Sequence, residues 1–481
     1  MSANAPQAER VLSTLNVDGT RRWLNPRLSP GRWLNRRRAV GYGLIALFVT
    51  MPHLRIDGRP PLLIDILKRE FTFFGTTLYP TDTLLLALGL ITIALSIFFF
   101  TALFGRVWCG WACPQTVYLE LVYRPVERFF QGGPGAKKKR FGAAGGLLKF
   151  IVFVLLAFGL AHTFLSYFVG TDNLRQWIFG SPLDHPIAFM VMAAVTGLML
   201  FDFGFFREQT CIVACPYGRF QSVMLDRDSL VVGYDRKRGE PRGKKRRTST
   251  PKADTPKGDV SLKVVEDRPL ADQSLGDCID CTMCVQTCPT GIDIRDGLQM
   301  ECVNCTQCID ACDAIMDKIG RPRGLIRYAS QRSLEGEGRH WFRPRLVVYP
   351  VIITVLVTVM AVLLVTRASA LVTVLRGPGS PFTVLESGMV ANPVKIKIHD
   401  RSENGATYTL AVEGVQGARI DGPNTIKLEA GQMSTEPLAI VVPPEAFTTG
   451  RLPVTIRIES GDFEERVEYV MRGPVRGVGG N

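Results

Sequence analysis

Eight cysteines are concentrated in residues 278–312, and their spacing limits what this part of the chain can fold into. They form two runs of the pattern C-x2-C-x2-C-x3-C: Cys278, Cys281, Cys284 and Cys288, followed by Cys302, Cys305, Cys308 and Cys312. Thiolates this closely spaced are ligands for soft metals and for iron–sulfur clusters. The stretch therefore predicts a small domain that is organised around bound metal.

The repeated pattern is typical of two-cluster ferredoxins, in which the fourth cysteine of each run ligates the other cluster. We therefore expect two crossed ligand sets. Cys278, Cys281, Cys284 and Cys312 would hold one [4Fe-4S] cluster, and Cys302, Cys305, Cys308 and Cys288 would hold the second. A zinc ribbon is the alternative, but it uses paired C-x2-C units with a longer spacer, so the crowding favours clusters. Cys288 is followed by Pro289, whereas Cys312 is followed by Asp313.

The distribution of all twelve cysteines indicates a reducing environment. Every one lies between Cys109 and Cys312, and none lies in the C-terminal segment that follows. A disulfide framework would spread its cysteines through the exported part of a protein. We therefore interpret these cysteines as ligands or redox thiols.

Long apolar runs predict a membrane protein with a helical bundle of about five spans. The clearest runs cover residues 82–104, 146–170, 186–206 and 346–366, each near the roughly 20 residues that a bilayer requires. A shorter run at 39–54 needs tilt or flanking residues to cross. Residues 1–35 are polar, and we expect them to form an irregular arm.

Basic residues near the ends of these runs predict the orientation. Most of them fall on one side if the spans alternate: Arg36 to Arg38, Arg106, Arg124, Arg128, and the stretches 137–140 and 236–258. That side is expected to be cytoplasmic. The cysteine-rich domain would then lie in the cytoplasm, and the segment after the last span in the periplasm.

The formal net charge of +13 is concentrated in short basic runs, and residues 236–258 contain ten Lys and Arg against two acidic residues. In a membrane chain, such runs are more simply topology signals and lipid contacts than nucleic-acid sites. We therefore expect membrane lipid, and no nucleic acid, as a partner.

These features divide the chain into six parts. They are an irregular cytoplasmic arm (1–35), a four-span membrane domain (36–226), a basic cytoplasmic linker (227–275), a dicluster ferredoxin domain (276–345), a fifth transmembrane helix (346–367) and a periplasmic domain (377–481). Residues 394–398, 408–412, 438–442 and 454–458 of the last part alternate apolar and polar with period two. About seven such strands predict an all-β, immunoglobulin-like sandwich.

A duplicated C-x3-C-P motif follows the second and the fourth apolar runs. Cys109 and Cys113 precede Pro114, and Cys211 and Cys215 precede Pro216. An i, i+4 spacing places two thiols on one face of a helix, and the proline favours a break or a new helix start. If the two duplicated halves pack side by side, the four thiols converge at the cytoplasmic membrane surface.

Three interpretations of these four thiols stay open at this point. They are packing residues, a soft-metal site for Cu(I), zinc or a third iron–sulfur cluster, or a dithiol–disulfide relay that the clusters feed. The residues alone do not separate the three.

The order of these parts resembles the FixG/RdxA/CcoG family of cytochrome c oxidase accessory proteins. The likeness rests on the spans, the paired C-x3-C-P motifs, the cysteine runs, the segment 233–242 and the terminal sandwich, and it covers nearly the whole chain from about Arg36. It implies a multi-pass protein of the bacterial inner membrane that reduces Cu(II) to Cu(I) for copper delivery to a cbb3-type oxidase. Oxidase assembly factors or copper chaperones are the partners that it implies.

Copper would bind, as substrate or transient ligand, at the catalytic residues Cys109, Cys113, Cys211 and Cys215, because thiolates stabilise Cu(I) over Cu(II). No G-x-G-x-x-G fingerprint after a strand is evident, so we expect a separate cytoplasmic electron donor, which the sequence does not identify. The alternatives are a quinone-linked polyferredoxin that exchanges electrons with a cytoplasmic partner, and a non-catalytic oxidase assembly scaffold. A homodimer is compatible with all three.

Overall fold

The computed structural model describes residues 12–16, 18–56, 58–66, 68–134, 141–142, 144–243, 275–337, 343–402 and 405–474. The chain divides into two compact units, Met1–Thr358 and Val359–Asn481, and each is described by itself. All twelve cysteines belong to the first unit.

The described part of the N-terminal arm contains one isolated β-bridge and is otherwise irregular. Helix α1 (Arg32–Thr50) follows it. The backbone N–H groups of Trp33 and Leu34 donate to the carboxylate of Asp310 at 3.2 and 2.8 Å. A carboxylate from the cysteine-rich domain therefore caps α1 at the end where the helix dipole favours negative charge.

A small antiparallel sheet follows α1, and the sequence analysis did not include it. Its strands are β1 (Leu62–Asp65), β2 (Glu70–Phe73) and β3 (Thr76–Leu78), in the order β1-β2-β3.

The next part of the first unit is helical. Its helices are α2 (Thr83–Phe104), α3 (Val107–Trp111), α4 (Pro114–Tyr118), α5 (Arg124–Gln131), α6 (Ala144–Val169), α7 (Thr171–Phe179), α8 (Pro186–Phe201) and α9 (Pro216–Met224). Single π-helical turns cover Leu119–Tyr123, Asp202–Phe206 and Thr210–Ala214. Short helices that carry the C-x3-C-P motif thus follow both α2 and α8, as the duplication predicts.

The cysteine-rich domain combines two strands with short helices. In chain order these are β4 (Val231–Tyr234), α10 (Arg236–Gly239), α11 (Met283–Gln286), α12 (Gln307–Lys318), β5 (Ile326–Ala329) and α13 (Gln331–Leu334). β4 pairs antiparallel with β5, and all four β4 residues are buried. The predicted linker at 227–275 therefore begins inside this domain. The basic residues after β4 suggested a linker, whereas its apolar Val-Val-Gly-Tyr sequence packs into the core.

Helix α14 (Pro344–Val365) is the last element before the C-terminal strands. In the described ranges, four helical stretches are long and apolar enough to cross a membrane: Pro80–Phe104, Ala144–Val169, Pro186–Phe206 and Pro344–Val365. They correspond to the four clearest apolar runs of the sequence, so the chain is a membrane protein.

Helix α1 is not among these four stretches, since Arg36, Arg37 and Arg38 lie in it. It nevertheless reaches the C-terminal part of α6, where the Tyr167 hydroxyl donates to the Phe48 carbonyl at 2.7 Å. The total of about five spans therefore stays a prediction.

The second unit contains a two-sheet β-sandwich. Its strands are β6 (Ala370–Arg376), β7 (Thr383–Val384), β8 (Val390–Asp400), β9 (Ala406–Glu413), β10 (Arg419–Asp421), β11 (Thr425–Leu428), β12 (Met433–Val442), β13 (Arg451–Ser460) and β14 (Phe463–Arg472). One sheet has the order β10-β12-β8-β6 with β7 paired to β8, and the other has the order β11-β9-β13-β14. Ile396, Ile440 and Ile458 are fully buried between them.

The sandwich is larger than the sequence predicted. It begins at Ala370 rather than at residue 377, and the described part has nine strands rather than about seven. The first strand was missed because its apolar sequence continues the apolar run of α14.

Candidate metal centres

The first predicted ligand set is gathered around one cavity. Cys278, Cys281, Cys284 and Cys312 all line it, together with apolar residues such as Ile326. Cys284 lies on α11, whereas Cys312 comes from the second cysteine run and lies on α12. The structure thus brings together the four residues that the crossed pattern predicts.

The second ligand set lines a cavity of nearly equal size. Cys288, Cys302, Cys305 and Cys308 surround it, and each of the two cavities has a volume of about 20 Å³. Cys284 of the first set lines this cavity as well. The two predicted sites are therefore direct neighbours.

Equivalent backbone turns build the two sets. Asp280 and Asn304 each precede the second cysteine of a run and have φ values of 51° and 52°. Thr282 and Thr306 each follow that cysteine and have φ values of 57° and 65°. Left-handed conformations cost non-glycine residues about 1–3 kcal/mol each and persist where surrounding structure enforces them. Their repetition shows that both loops are shaped to turn their thiols inward.

Burial favours the neutral form of several thiols in these two sets. Burial raises the pKa of Cys284, Cys305 and Cys312 to about 12, and that of Cys302 to about 11. Thiols must lose protons to bind metal, so cluster binding here would release protons.

The arrangement fits iron–sulfur clusters better than zinc. In the ranges that the structure describes, no three His, Cys, Asp or Glu side chains lie close enough to hold a single metal ion. Four thiols that surround a cavity, rather than meeting at a point, provide the ligands that a cubic [4Fe-4S] cluster takes. The two ligand sets stay predictions, and the residues present fit them.

The chain breaks and a new helix begins at the proline of each C-x3-C-P motif, as the sequence predicted. Cys113 and Cys215 have ψ values of 125° and 111°, so both are extended, and helices α4 and α9 start at the prolines that follow. A proline disfavours the helical conformation in the residue before it. The second cysteine of each motif therefore lies at a chain break and not one turn further along the same helix.

The four motif cysteines nevertheless lie near one another, although among the described residues no three of them are close enough to hold one metal ion. Burial raises the pKa of Cys109 and Cys211 to about 12, and the charges of neighbouring motif cysteines contribute. The charges of Cys109, Cys113 and Cys215, which come from both motifs, also raise the pKa of Cys211. The thiol of Cys109 also donates a hydrogen bond to Oε1 of Gln221 at 3.3 Å. What these four thiols bind stays a prediction.

The first motif lies directly against the second ligand set. A Cβ atom added to Gly110 would lie 2.4 Å from the carbonyl oxygen of Val303 and 2.8 Å from that of Asn304. Gly110 follows Cys109, and Val303 follows Cys302. The backbones of the two candidate sites are therefore in contact, at a position where only glycine fits.

Two buried arginines hold this contact. Nη1 of Arg106 donates to the Cys302 carbonyl at 3.2 Å, and Nε of Arg37 donates to the Gly110 carbonyl at 2.6 Å. Their positive charges lower the pKa of nearby thiols, Arg106 that of Cys302 and Arg37 that of Cys305, against the larger effect of burial. From the sequence alone, these arginines were interpreted only as topology signals.

The N-terminal arm covers one side of the second ligand set. The N–H of Arg27 donates to the Gln286 carbonyl at 2.9 Å, and the Thr287 hydroxyl donates to the Arg27 carbonyl at 2.6 Å. Further along, the Ser13 hydroxyl donates to the Thr290 carbonyl at 2.7 Å. These bonds flank Cys288 on both sides and fix the arm beside it.

A buried ionic cluster joins the two duplicated halves. Arg124, which is 2% exposed, pairs with Glu120 and, at 3.2 Å, with Glu208. Its Nη2 also donates to the Pro289 carbonyl at 3.4 Å, next to Cys288. Arg207 pairs with Glu127 at 3.0 Å. The cluster therefore ties the membrane part to the cysteine-rich domain.

Three family models match the chain. A 4Fe-4S dicluster domain matches residues 206–331, and a 4Fe-4S binding domain matches residues 86–136, which include the first C-x3-C-P motif. A third, the IG-like fold at the C-terminus of FixG, matches residues 360–473. The chain is thus an iron–sulfur redox protein with an immunoglobulin-like C-terminal domain.

Relatives match most of the chain. Protein RdxA of Cereibacter sphaeroides is 36% identical over 398 residues, which cover 78% of this chain and 79% of RdxA. Protein RdxB of the same organism is 36% identical over 391 residues, with coverages of 76% and 77%. The nitrogen fixation protein FixG of Rhizobium meliloti is 30% identical, and the match covers 97% of this chain and 92% of FixG.

A crystal structure of a FixG-related protein from Vibrio parahaemolyticus aligns with 22% of this chain and 98% of its own, at 19% identity. Its TM-score of 0.21 is too low to support a structural argument. The sequence identity of 30–36% to RdxA, RdxB and FixG extends over most of their lengths and establishes the family. The chain belongs to the FixG/RdxA family of membrane iron–sulfur proteins.

Proposed function

We propose that this protein reduces Cu(II) to Cu(I) for copper delivery in the assembly of a cbb3-type oxidase. The observation that carries the proposal is the contact of Gly110 with Val303, because it joins a cluster of soft thiols to an iron–sulfur ligand set. Copper is the substrate, and Cys109, Cys113, Cys211 and Cys215 are its proposed ligands. These thiols would have to move together to share one ion, since in the described ranges no three of them lie close enough to hold it.

When bound, the two clusters would each carry one electron, which suits the one-electron reduction of Cu(II). The protein's own residues hold the first motif against the second ligand set, where Cys302 and Cys305 are buried and the four motif cysteines are half-buried. Arg106 contributes by bonding the Cys302 carbonyl on one side and the Gly218 carbonyl, within α9, at 3.0 Å on the other.

The thiols favour the product of this reaction. Thiolates bind Cu(I) in preference to Cu(II), so a copper ion among them would have a raised reduction potential. Because burial raises the pKa of Cys109 and Cys211, copper binding would displace protons from them. Gln221 accepts a hydrogen bond from Cys109 at 3.3 Å and so favours the protonated thiol in the copper-free protein.

The proposal includes a cellular arrangement. The protein would lie in the bacterial inner membrane, with the ferredoxin domain in the cytoplasm and the immunoglobulin-like domain in the periplasm. The basic residues at the helix ends support this orientation. Copper chaperones or oxidase assembly factors would receive the Cu(I).

Stopped-flow mixing of Cu(II) with the anaerobic, dithionite-reduced and desalted protein tests the proposal. We expect the visible absorbance of the oxidised clusters to return in step with Cu(I) formation. The double variant C109S/C113S should lose copper reduction while its cluster absorbance is retained. Undiminished copper reduction in that variant would exclude the proposed copper site. Clusters that stay reduced in the unaltered protein would favour an assembly scaffold or a quinone-linked function.

A third iron–sulfur cluster at the motif thiols is the second candidate for this site. The observation that favours it is the match of a 4Fe-4S binding domain to residues 86–136, which include Cys109 and Cys113. Iron and sulfide analysis separates the candidates. Two clusters require about eight iron atoms per chain and three require about twelve.

A further inference from the structure

Two cavities in the first unit adjoin each other and form one groove. One cavity has a volume of about 280 Å³ and the other about 430 Å³, and Asn25, Pro26 and Pro134 line both. Small-molecule sites in proteins usually have volumes of about 300–1,000 Å³. The groove therefore has the size of a cofactor site.

The wall of the groove is basic. Five arginines line it: Arg22, Arg27, Arg124, Arg128 and Arg207. Among the described lining residues, Glu127 is the one acidic side chain. Arg124 and Arg207 are already paired with glutamates, whereas Arg128 donates a hydrogen bond to the Pro26 carbonyl at 3.3 Å. Such a wall fits an anionic group such as a phosphate, which arginine binds through its planar guanidinium.

The groove also offers an aromatic surface and a redox centre. Trp23 lines the wider cavity and half of its surface is exposed, while the guanidinium of Arg21 lies 4.0 Å from the centre of its ring. Cys288 lines the same cavity and also the cavity of the second ligand set. One side chain therefore separates the groove from a predicted [4Fe-4S] site.

We propose that the groove binds an aromatic redox cofactor that carries a phosphate, of the flavin mononucleotide class, and that this compound is the electron donor. The inference rests on the proposed function. The phosphate would bind to the arginines, Arg128 foremost, and the ring system would pack against Trp23 near Cys288. A reduced flavin fits better than a reduced nicotinamide, because nicotinamide donates a hydride whereas one-electron acceptors require a donor that releases electrons singly.

The electrons and protons balance. A reduced flavin mononucleotide loses two electrons as its N1–H and N5–H bonds break, and the two protons pass to water. Two Cu(II) ions take one electron each and become two Cu(I) ions. The chain has two iron–sulfur ligand sets. Each bound cluster would therefore take one of the two electrons from the donor and pass it to one Cu(II) ion.

Binding of oxidised flavin mononucleotide to the full-length, cluster-loaded protein tests the inference without any copper. Quenching of flavin fluorescence during titration gives the affinity, and riboflavin, which has the same ring without the phosphate, is the matched ligand. We expect flavin mononucleotide to bind at least tenfold more tightly than riboflavin. The variant R128Q should weaken flavin mononucleotide binding roughly tenfold, as expected for loss of one charge-assisted contact, and leave riboflavin binding unchanged.

The variant R27Q provides a second test on the exposed arm, in case R128Q does not fold. The control is R466Q, since Arg466 is an exposed residue of β14 in the second unit and should not affect binding. Equal affinities for the two flavins, or unchanged binding by both groove variants, would overturn the inference. Failure of dithionite-reduced protein to reduce copper, with flavin binding intact, would instead overturn only the proposed function.

Discussion

Gly110 and Val303 form a contact in which no side chain fits between the two backbones. A Cβ atom on Gly110 would lie 2.4 Å from the Val303 carbonyl oxygen, well inside van der Waals distance. Gly110 lies in α3, between the first motif cysteine and Trp111, and Val303 lies in the loop of the second ligand set. Trp111 Nε1 donates to the Tyr328 hydroxyl at 3.1 Å, which in turn donates to the Asn304 carbonyl at 3.0 Å. The two candidate sites are therefore held together by the backbone contact and by these two consecutive hydrogen bonds.

The variant G110A should push α3 away from the cysteine loop. We expect copper reduction by the reduced protein to slow roughly tenfold to a hundredfold, because the two centres move apart. Stability should fall by about 1–3 kcal/mol from overpacking. Stopped-flow kinetics and thermal unfolding measure the two effects. The control is G43A, since a Cβ on Gly43 of α1 meets nothing within 4 Å. Equal rates in the two variants would show that the contact does not govern electron transfer.

The potentials of the two clusters should respond differently to Arg37. Its buried charge acts on Cys305 of the second set, and positive charge favours the reduced, more negative state of a cluster. The variant R37Q should therefore lower one of the two midpoint potentials by on the order of 50–100 mV and leave the other nearly unchanged. Redox titration followed by electron paramagnetic resonance measures both. R37K, which keeps the charge, should restore most of the loss, and an equal shift of both potentials would contradict the assignment.

Patterns within short stretches of sequence were sufficient to predict the four long apolar helices and the grouping of the cysteines. The lengths of the apolar runs predicted four helices to within a few residues, because a bilayer sets their length. The spacing of the cysteines predicted which thiols would share a cavity, since Cys312 does join Cys278, Cys281 and Cys284. The duplicated C-x3-C-P motif predicted that its four thiols would lie near one another.

Contacts between distant segments could not be predicted in this way. Nothing in the periodicity around Gly110 indicates a partner near residue 303, and nothing in the polar arm indicates that Arg27 bonds to Gln286. β4 was missed because its partner β5 lies about 90 residues away and a basic stretch follows it. A single sequence contains no signal for such pairs. The glycine itself was the available hint, since a glycine inside a short helix is unfavourable unless something approaches closely.

The reactivity of the motif thiols should depend on pH in a specific direction. Burial raises the pKa of Cys109 and Cys211 from 9.0 to about 12, so both are neutral at pH 7–9 and lose their protons only as the pH approaches 12. In copper-free protein, their alkylation by iodoacetamide at pH 8 should be about a thousandfold slower than that of an unperturbed thiol, because the thiolate reacts. The rate should rise about tenfold per pH unit between pH 7 and 10.

Mass spectrometry of peptides after timed alkylation measures this dependence. Denatured protein is the control, in which both cysteines should react at the ordinary rate. Rapid alkylation of the folded protein at pH 7 would show that the thiols are not buried as described. Complete protection at every pH would instead indicate that a third cluster already binds them.

Removal of Arg124 should be strongly destabilising, because its glutamate partners would stay charged in a buried environment without their counter-charge. The variant R124M would leave Glu208, which is 3% exposed, with only the more distant Arg21 and Arg207 at 3.5 and 3.7 Å. We expect a loss of about 3–5 kcal/mol, and recovery of part of it in the double variant R124M/E208Q. The loss should release the cysteine-rich domain first, since Arg124 also bonds the Pro289 carbonyl. Thermal unfolding followed by cluster absorbance measures this effect.

The matched control is R227M, whose ion pairs with Glu335 and Glu337 are exposed and should contribute little. Equal melting temperatures for R124M and R227M would show that the buried cluster does not hold the two parts together.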